Sequence, residues 1–320
     1  MKKALTILII ITIMLTIYVV KGAENTIIIY SSAEQYRNDE MQKQLNEVFP
    51  QYNVQVIYMS TGKLAAKIEV EKERTDADII VALETSYLEK IQENLENVAD
   101  LSRLEYKELS LNDRYVLWEK QSGSVIINEE VIEKNHLPVP KTYSDLLNPV
   151  YHSLIAMPDP KSSGTGYFFM KGLVNQWGEI KTFEYFDQLA QNIKQFTESG
   201  SGPIKLLKQG EIAIGLGLTF QGISELNAGN NFLILEPEFG APYSLTGTSV
   251  IKGKLTEPVR EVFDYLINDF LIYDKEYFSP GQILQQQRCK IKNYPIENYA
   301  DMTGIESIGE KERLLALWKY

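Results

Sequence analysis

At 320 residues, with 44% hydrophobic and 23% charged side chains, the chain exceeds the size at which one hydrophobic core stops growing and is too apolar for disorder, so two lobes are expected. The formal charge of −11, with no run of Lys and Arg beyond the N-terminus, argues against nucleic acid or an anionic bilayer as partner. The single cysteine, Cys289, excludes an intramolecular disulfide and Cys-rich metal centres, and His136 and His152 lack the spacing of a metal pair, so neither a metal nor a cofactor is expected.

Lys2 and Lys3 precede an uncharged stretch from Ala4 to Val20, which reads as an export signal over residues 1–22. Cleavage after Gly22 is expected. The alternative is an uncleaved N-terminal anchor, because 17 apolar residues approach the ~20 that span a bilayer. Either way the protein is expected outside the cytoplasm, in the periplasm or at the cell surface.

From Asn25 the chain alternates short β-branched runs with longer helical patterns, the signature of parallel strands joined by crossover helices. Thr26 to Tyr30 reads as a strand, Ala33 to Phe49 as a helix, Asn53 to Met59 as a strand, Lys63 to Arg74 as a helix and Asp78 to Leu83 as a third strand. A second series follows: a strand from Leu154 to Met157, helices after Gly164 and Lys181, and a helix opened by Pro203. Strands from Ile212 to Leu218 and from Phe232 to Leu235 complete it. The chain then returns through Thr248 to Ile251 and a helix from Pro258 to Phe270. Small residues at Gln121-Ser122-Gly123-Ser124 and at Gly240-Ala241-Pro242-Tyr243-Ser244 mark two crossings between lobes. The expected division is therefore 23–121 with 243–320 in the first lobe, and 122–242 in the second.

The loops that follow the strands repeat one chemistry, hydroxyls and glycines: Ser31-Ser32, Ser60-Thr61-Gly62, Thr85-Ser86, Ser162-Ser163-Gly164-Thr165-Gly166, Ser199-Gly200-Ser201-Gly202-Pro203 and Thr219-Phe220-Gln221. A helix N-terminus leaves its first N–H groups unpaired and carries partial positive charge, so several converging termini bind an oxyanion without cationic side chains. For any one loop the competing reading is that the hydroxyl only caps its own helix. Ser60-Thr61-Gly62-Lys63 is not a nucleotide-binding phosphate loop, because Ile57 and Leu64 stand where that motif needs glycine and Ser or Thr. Lys63 reads as a surface lysine or an aid to an anion. Asp76 and Asp78 read as turn residues, Glu84 as a contact for a positive group or a solvated carboxylate, and Tyr167 as within reach of the cleft, with Phe168, Phe169 and Trp177 in the core.

With these residues in view, the chain resembles the extracellular solute-binding proteins of ABC importers related to the ferric-iron binders, with relatives for phosphonates, phosphoglycerate and hexose phosphates. IIIYSSAE, STGKLAAKIEVEKERTDADIIVAL, SVIINEEVI, MPDPKSSGTGY, ESGSGPIKLLKQGEIAIGLGLTF and GAPYSLTGTSVIKG carry the resemblance. It implies an α/β, two-lobed periplasmic-binding-protein-like fold of type II, each lobe a mixed sheet flanked by helices, with two crossover hinge segments. A permease with a cytoplasmic ATPase is the implied partner. Carried onto matching positions, the family's ligand loops point to Ser31, Ser32, Thr61, Gly62, Ser162, Ser163, Gly164, Thr165, Ser199, Ser201, Thr219, Gln221 and Tyr243. Ferric members place two adjacent tyrosines where this chain has Thr219-Phe220-Gln221.

The reading is thus a monomeric, non-catalytic protein that captures a small anionic solute, phosphorylated or phosphonate-bearing, without a metal. Its alternatives are a ferric-iron binder and a sensor reporting to a membrane kinase. An enzyme is disfavoured because no nucleophile–base pair or metal motif stands out.

Overall fold

The structure is a computed structural model that describes residues 26–107, 110, 112–296 and 298–320; the expected signal or anchor lies outside the described residues. Strands β1 (Thr26–Ser31), β2 (Asn53–Tyr58) and β3 (Ile79–Glu84) are parallel, with β1 between the other two. Helix α1 (Gln35–Val48) and helix α2 (Thr61–Glu71) cross over between them, burying Met41 and Leu45 in the one case and Leu64 and Ile68 in the other. Helices cover both faces, so β3 reads IIVALE, an unbroken buried run in place of alternation. Helix α3 (Thr85–Ile91) follows β3 directly, and two further short helices, α4 (Glu129–Lys134) and α8 (Thr219–Asn227), lie further along the chain.

The frame turns on β4, a 13-residue strand from Val116 to Asn128. Its first half pairs antiparallel with β9 (Tyr243–Val250), which in turn pairs with β3. From Gly123 onward the same strand pairs with β7 (Ile214–Leu218) and β8 (Phe232–Leu235). Next to β7 lie the parallel strands β5 (Ile155–Pro158) and β6 (Ile193–Thr197). One strand thus joins the two halves of a continuous sheet, and each half has its own core: Ile29, Trp118 and Phe263 on one side, Ile127, Phe168 and Phe186 on the other. Gly123 N–H donates to the Pro242 carbonyl at 2.8 Å, tying the two crossing segments together. A side chain at Gly123 would meet the rings of Phe168 and Phe169 at 2.5 and 2.6 Å, which is why glycine stands where β4 passes over the second core.

Several expectations shift. The sequence shows β4 only as an interruption of small residues, because Glu119, Lys120, Gln121 and Ser122 break any apolar pattern. Strand β9 begins at Tyr243, ahead of the expected Thr248, and β6 is not foreseen, its IKQFT being mostly polar. The helix expected to end at Phe270 runs as α9 (Glu257–Tyr265), through a π-helical turn over Leu266–Phe270, into α10 (Leu271–Tyr277). The tail expected to finish with the first lobe places Met302, Ile305, Leu314 and Trp318 in the second core, through helix α11 (Ile308–Leu317). The physical reason is apolar: Trp318 meets Phe186 edge-on at 5.1 Å and Phe196 edge-on at 5.3 Å, both on the second lobe.

Candidate functional site

The two halves of the sheet bring the C-terminal ends of their parallel strands face to face, and a narrow polar cavity, about 370 Å³ with its open mouth included, lies between them. From the first lobe it is lined by Ser32, Glu34, Tyr58, Ser60 and Thr61; from the second, by Ser162, Ser163, Thr165, Ser199, Gly200, Ser201 and Leu218, with Gln121 of β4 on its floor. Three further helices, α5 (Gly164–Trp177), α6 (Glu179–Leu189) and α7 (Gly202–Lys208), build the second lobe's side. Residues at or beside the starts of α1, α2, α5 and α7, namely Glu34, Ser60, Ser163 and Ser201, all stand at this cavity. None of the four makes a side-chain capping bond. Capping therefore does not account for these residues: Ser60 Oγ is buried with no hydrogen-bond partner, and Ser201 Oγ accepts from Gln221 in place of a cap bond.

The lobes touch around the rim. Gly62 N–H donates to the Ser162 carbonyl at 3.3 Å, and a side chain at Gly62 would come within 2.9 Å of the Lys161 carbonyl oxygen. Lys63 pairs with Glu198 across the cleft, and the Tyr58 hydroxyl meets Ser199, while burial pushes the Tyr58 phenol above its ordinary range. Glu34, buried at the base of α1, is one of three carboxylates converging on Arg37, with Glu119 at 2.7 Å and Asp274 bound through two contacts at 2.8 and 2.7 Å. Burial drives the Glu34 carboxyl upward against the pull of Arg37, with Glu119 adding to the rise. For Asp274, burial works in the same direction but Arg37 and Lys275 outweigh it and hold the group low.

Beyond Glu34 and Ser201 the cavity adjoins a second, wider one of about 870 Å³, walled by Tyr36 of the first lobe and by Ile204, Lys205 and Gln221 of the second. Gln221 donates to Ser201 Oγ at 2.8 Å, and its own carbonyl oxygen is buried without a partner.

Of the residues named from sequence, Ser32, Thr61, Ser162, Ser163, Thr165, Ser199 and Ser201 come together at the first cavity, and Gln221 joins through Ser201 and the second. Gly62 and Gly164 stand where the lobes approach, not on the cavity wall. Ser31 is buried, its hydroxyl accepting from Ala33 N–H at 3.2 Å. Thr219 turns to the hydroxyls of Ser122 and Ser124, and Tyr243 packs on Tyr299 with Lys120 over its ring. Glu34, Tyr58, Gln121 and Leu218 were missed, and Ser60 and Gly200 were named within their loops but not among the residues assigned to the ligand. For Ser60 the signal was present in the loop STGK, and for Gln121 in the crossing segment. Glu84 is neither free in the cleft nor solvated: it is buried against Lys311, whose ammonium stands over the ring of Tyr167, which is itself fully buried. Among the described residues, no group of three His, Cys, Asp or Glu is placed to hold a metal ion.

A sheet in two halves, joined by crossing strands and closed on a polar cavity, defines the type II two-lobed binding fold. The sequence profile described as Bacterial extracellular solute-binding protein matches residues 77–278, and the chain belongs to that family. A protein of Haemophilus influenzae is 26% identical over 246 residues, 72% of this chain and 69% of its own. The periplasmic binding protein AfuA from Actinobacillus pleuropneumoniae, solved with fructose-6-phosphate, superimposes with a TM-score of 0.77 at 23% identity, covering 92% of this chain and 97% of that one. The apo ferric ion-binding protein A of Pasteurella haemolytica gives 0.70 at 15% identity, over 92% and 96%. Among the described residues no helix is long and apolar enough to cross a membrane.

Proposed function

We propose that the cavity between the lobes captures a small phosphorylated or phosphonate-bearing anion and that the protein hands it to an ABC permease. The observation that carries this reading is the convergence of helix starts on a pocket whose hydroxyls cap none of them. Such termini present N–H groups and partial positive charge to a multi-oxygen anion, and buried hydroxyls add donors. Ser60, Thr61, Ser163, Thr165 and Ser201 are the residues assigned to the anionic group, and the adjoining cavity is the space for the organic part. The ferric alternative finds less support: at the position of the tyrosine pair, Thr219 faces the crossing segments and Phe220 is core.

The lobes are proposed to rotate toward each other when ligand binds between them, about the crossings near Ser122 to Ser124 and Pro242 to Ser244, the tail from about Met302 onward moving with the second lobe. Calorimetric titration with inorganic phosphate, glucose 6-phosphate and 2-aminoethylphosphonate tests the reading. At least one should bind, and Ser163→Ala or Thr165→Val should weaken it about tenfold or more, since a hydrogen bond to a charged oxygen is worth ~1.5–3 kcal/mol. Binding of ferric ion with a visible charge-transfer band, and of none of the three anions, would replace this reading with the ferric one.

A further inference from the structure

Helix α11 belongs to one lobe by its apolar side and to the other by its charges. Leu314 and the following Trp318 are buried in the second core, and two ion pairs reinforce that seat: Glu310 with Lys171 at 2.9 Å, and Arg313 with Glu179 at 2.6 Å. Toward the first lobe its contacts are polar. Lys311 Nζ lies 2.5 Å from Glu84 Oε2 and 3.4 Å from Ser86 Oγ, and Glu312 pairs with Lys90 at 2.6 Å.

The Lys311–Glu84 pair is unlike the pairs at the surface. Both side chains are buried, at 1% and 2% exposure, and the ammonium lies 4.2 Å from the ring centre of Tyr87 on the first lobe and 4.5 Å from that of Tyr167 on the second. Glu84 also reaches the start of α5, where a side chain at Gly164 would come within 2.7 Å of its Oε2. Residues 163 and 165, on either side of that glycine, line the hydroxyl-bearing cavity.

We propose that Lys311 and Glu84 form a latch between the lobes, complete only when they are closed, and that α11 carries the lysine half of it on the second lobe. Neither residue lines the cavity, so both are positioning residues. Closure takes each charge out of water, and each then depends on the other. Their pairing seats β3's end against the start of α5 and so holds Ser163 and Thr165 opposite Ser60 and Thr61. The small side chain at residue 164 gives the carboxylate room to enter. When the lobes separate, Glu84 and Lys311 part and are hydrated separately, so the pair discriminates between the two states as Lys90–Glu312 at the exposed rim does not.

The inference rests on the lobe rotation proposed above but not on the identity of the solute. In full-length protein with Cys289→Ser, spin labels at Glu47→Cys and Glu184→Cys report the inter-lobe distance by electron–electron double resonance without any added ligand. The expected result is two distance populations, with the closed one falling at least fivefold relative to the open one in Lys311→Met and in Glu84→Gln. The double variant should fall no further than the singles, and Lys90→Met should stay within twofold of the parent. Circular dichroism confirms that each variant is folded. Two populations that ignore both substitutions, or respond to Lys90→Met as strongly, overturn the latch while leaving the rotation standing. One unchanging distance in every variant overturns the latch, and where that distance is the span of the closed protein it overturns the rotation as well.

Discussion

Arg37 offers the most direct test of how the base of the cleft is held together. It is fully buried, and its guanidinium serves Asp274 with two bonds, Glu34 at 2.8 Å and Glu119 at 2.7 Å. Substituting methionine keeps the volume and removes the charge. Asp274 would keep Lys275 at 2.8 Å, and Glu119 would have the same lysine at 3.8 Å, but Glu34 would lose its close cation. Removing one partner of a buried pair costs ~3–5 kcal/mol, a large fraction of the ~5–15 kcal/mol by which folded proteins are stable. The penalty falls chiefly on Glu34, whose carboxyl burial already drives above its ordinary value. Without Arg37 that rise grows, the folded state binds the extra proton, and stability of the variant relative to the parent recovers as pH falls toward the ordinary carboxylate range. Urea unfolding followed by circular dichroism at pH 7 and pH 5 measures both effects. The expected deficit is about 3 kcal/mol or more at pH 7 and smaller at pH 5. A deficit below ~1 kcal/mol at pH 7, or one that widens on acidification, would refute the account of a carboxylate stranded by loss of its cation.

Gly123→Ala should destabilise by ~1–3 kcal/mol through overpacking against Phe168 and Phe169, read as a lower urea midpoint; an unchanged midpoint would show that those rings yield freely. Gly62→Ala should hold the lobes apart by steric contact with the Lys161 carbonyl, giving a larger radius of gyration in small-angle scattering with secondary structure intact. Tyr106 is half-buried, and burial pushes its phenol up to about 12, so its contribution is complete below the ordinary 10 and lost as pH rises through about 12. Stability should therefore decline between those values, and Tyr106→Phe should make the decline shallower, by up to ~1.4 kcal/mol per pH unit.

The repeating strand–helix rhythm, the two crossings and the hydroxyl loops were legible in the sequence because each is a local pattern: β-branched runs, glycine and serine clusters, helix-start residues. The loops' common destination was also readable, since parallel strands send their C-terminal ends to one side of a sheet. What the sequence could not show is which hydroxyls reach the cavity. Ser31 and Ser32 are neighbours and both bond the backbone, Ser31 accepting from Ala33 N–H and Ser32 donating to the Ala82 carbonyl at 2.6 Å, yet only Ser32 lines the cavity. Thr219 and Gln221 lie two positions apart on one helix, and only the latter reaches the cleft. Nor do local patterns foretell that β4 serves both halves of the sheet, or that Glu84 meets a lysine 227 positions away. Those pairings depend on how the two halves of the sheet meet, and on the cost of burying a charge without a partner. The tertiary structure decides both, because the contacts that settle them join segments with no shared periodicity.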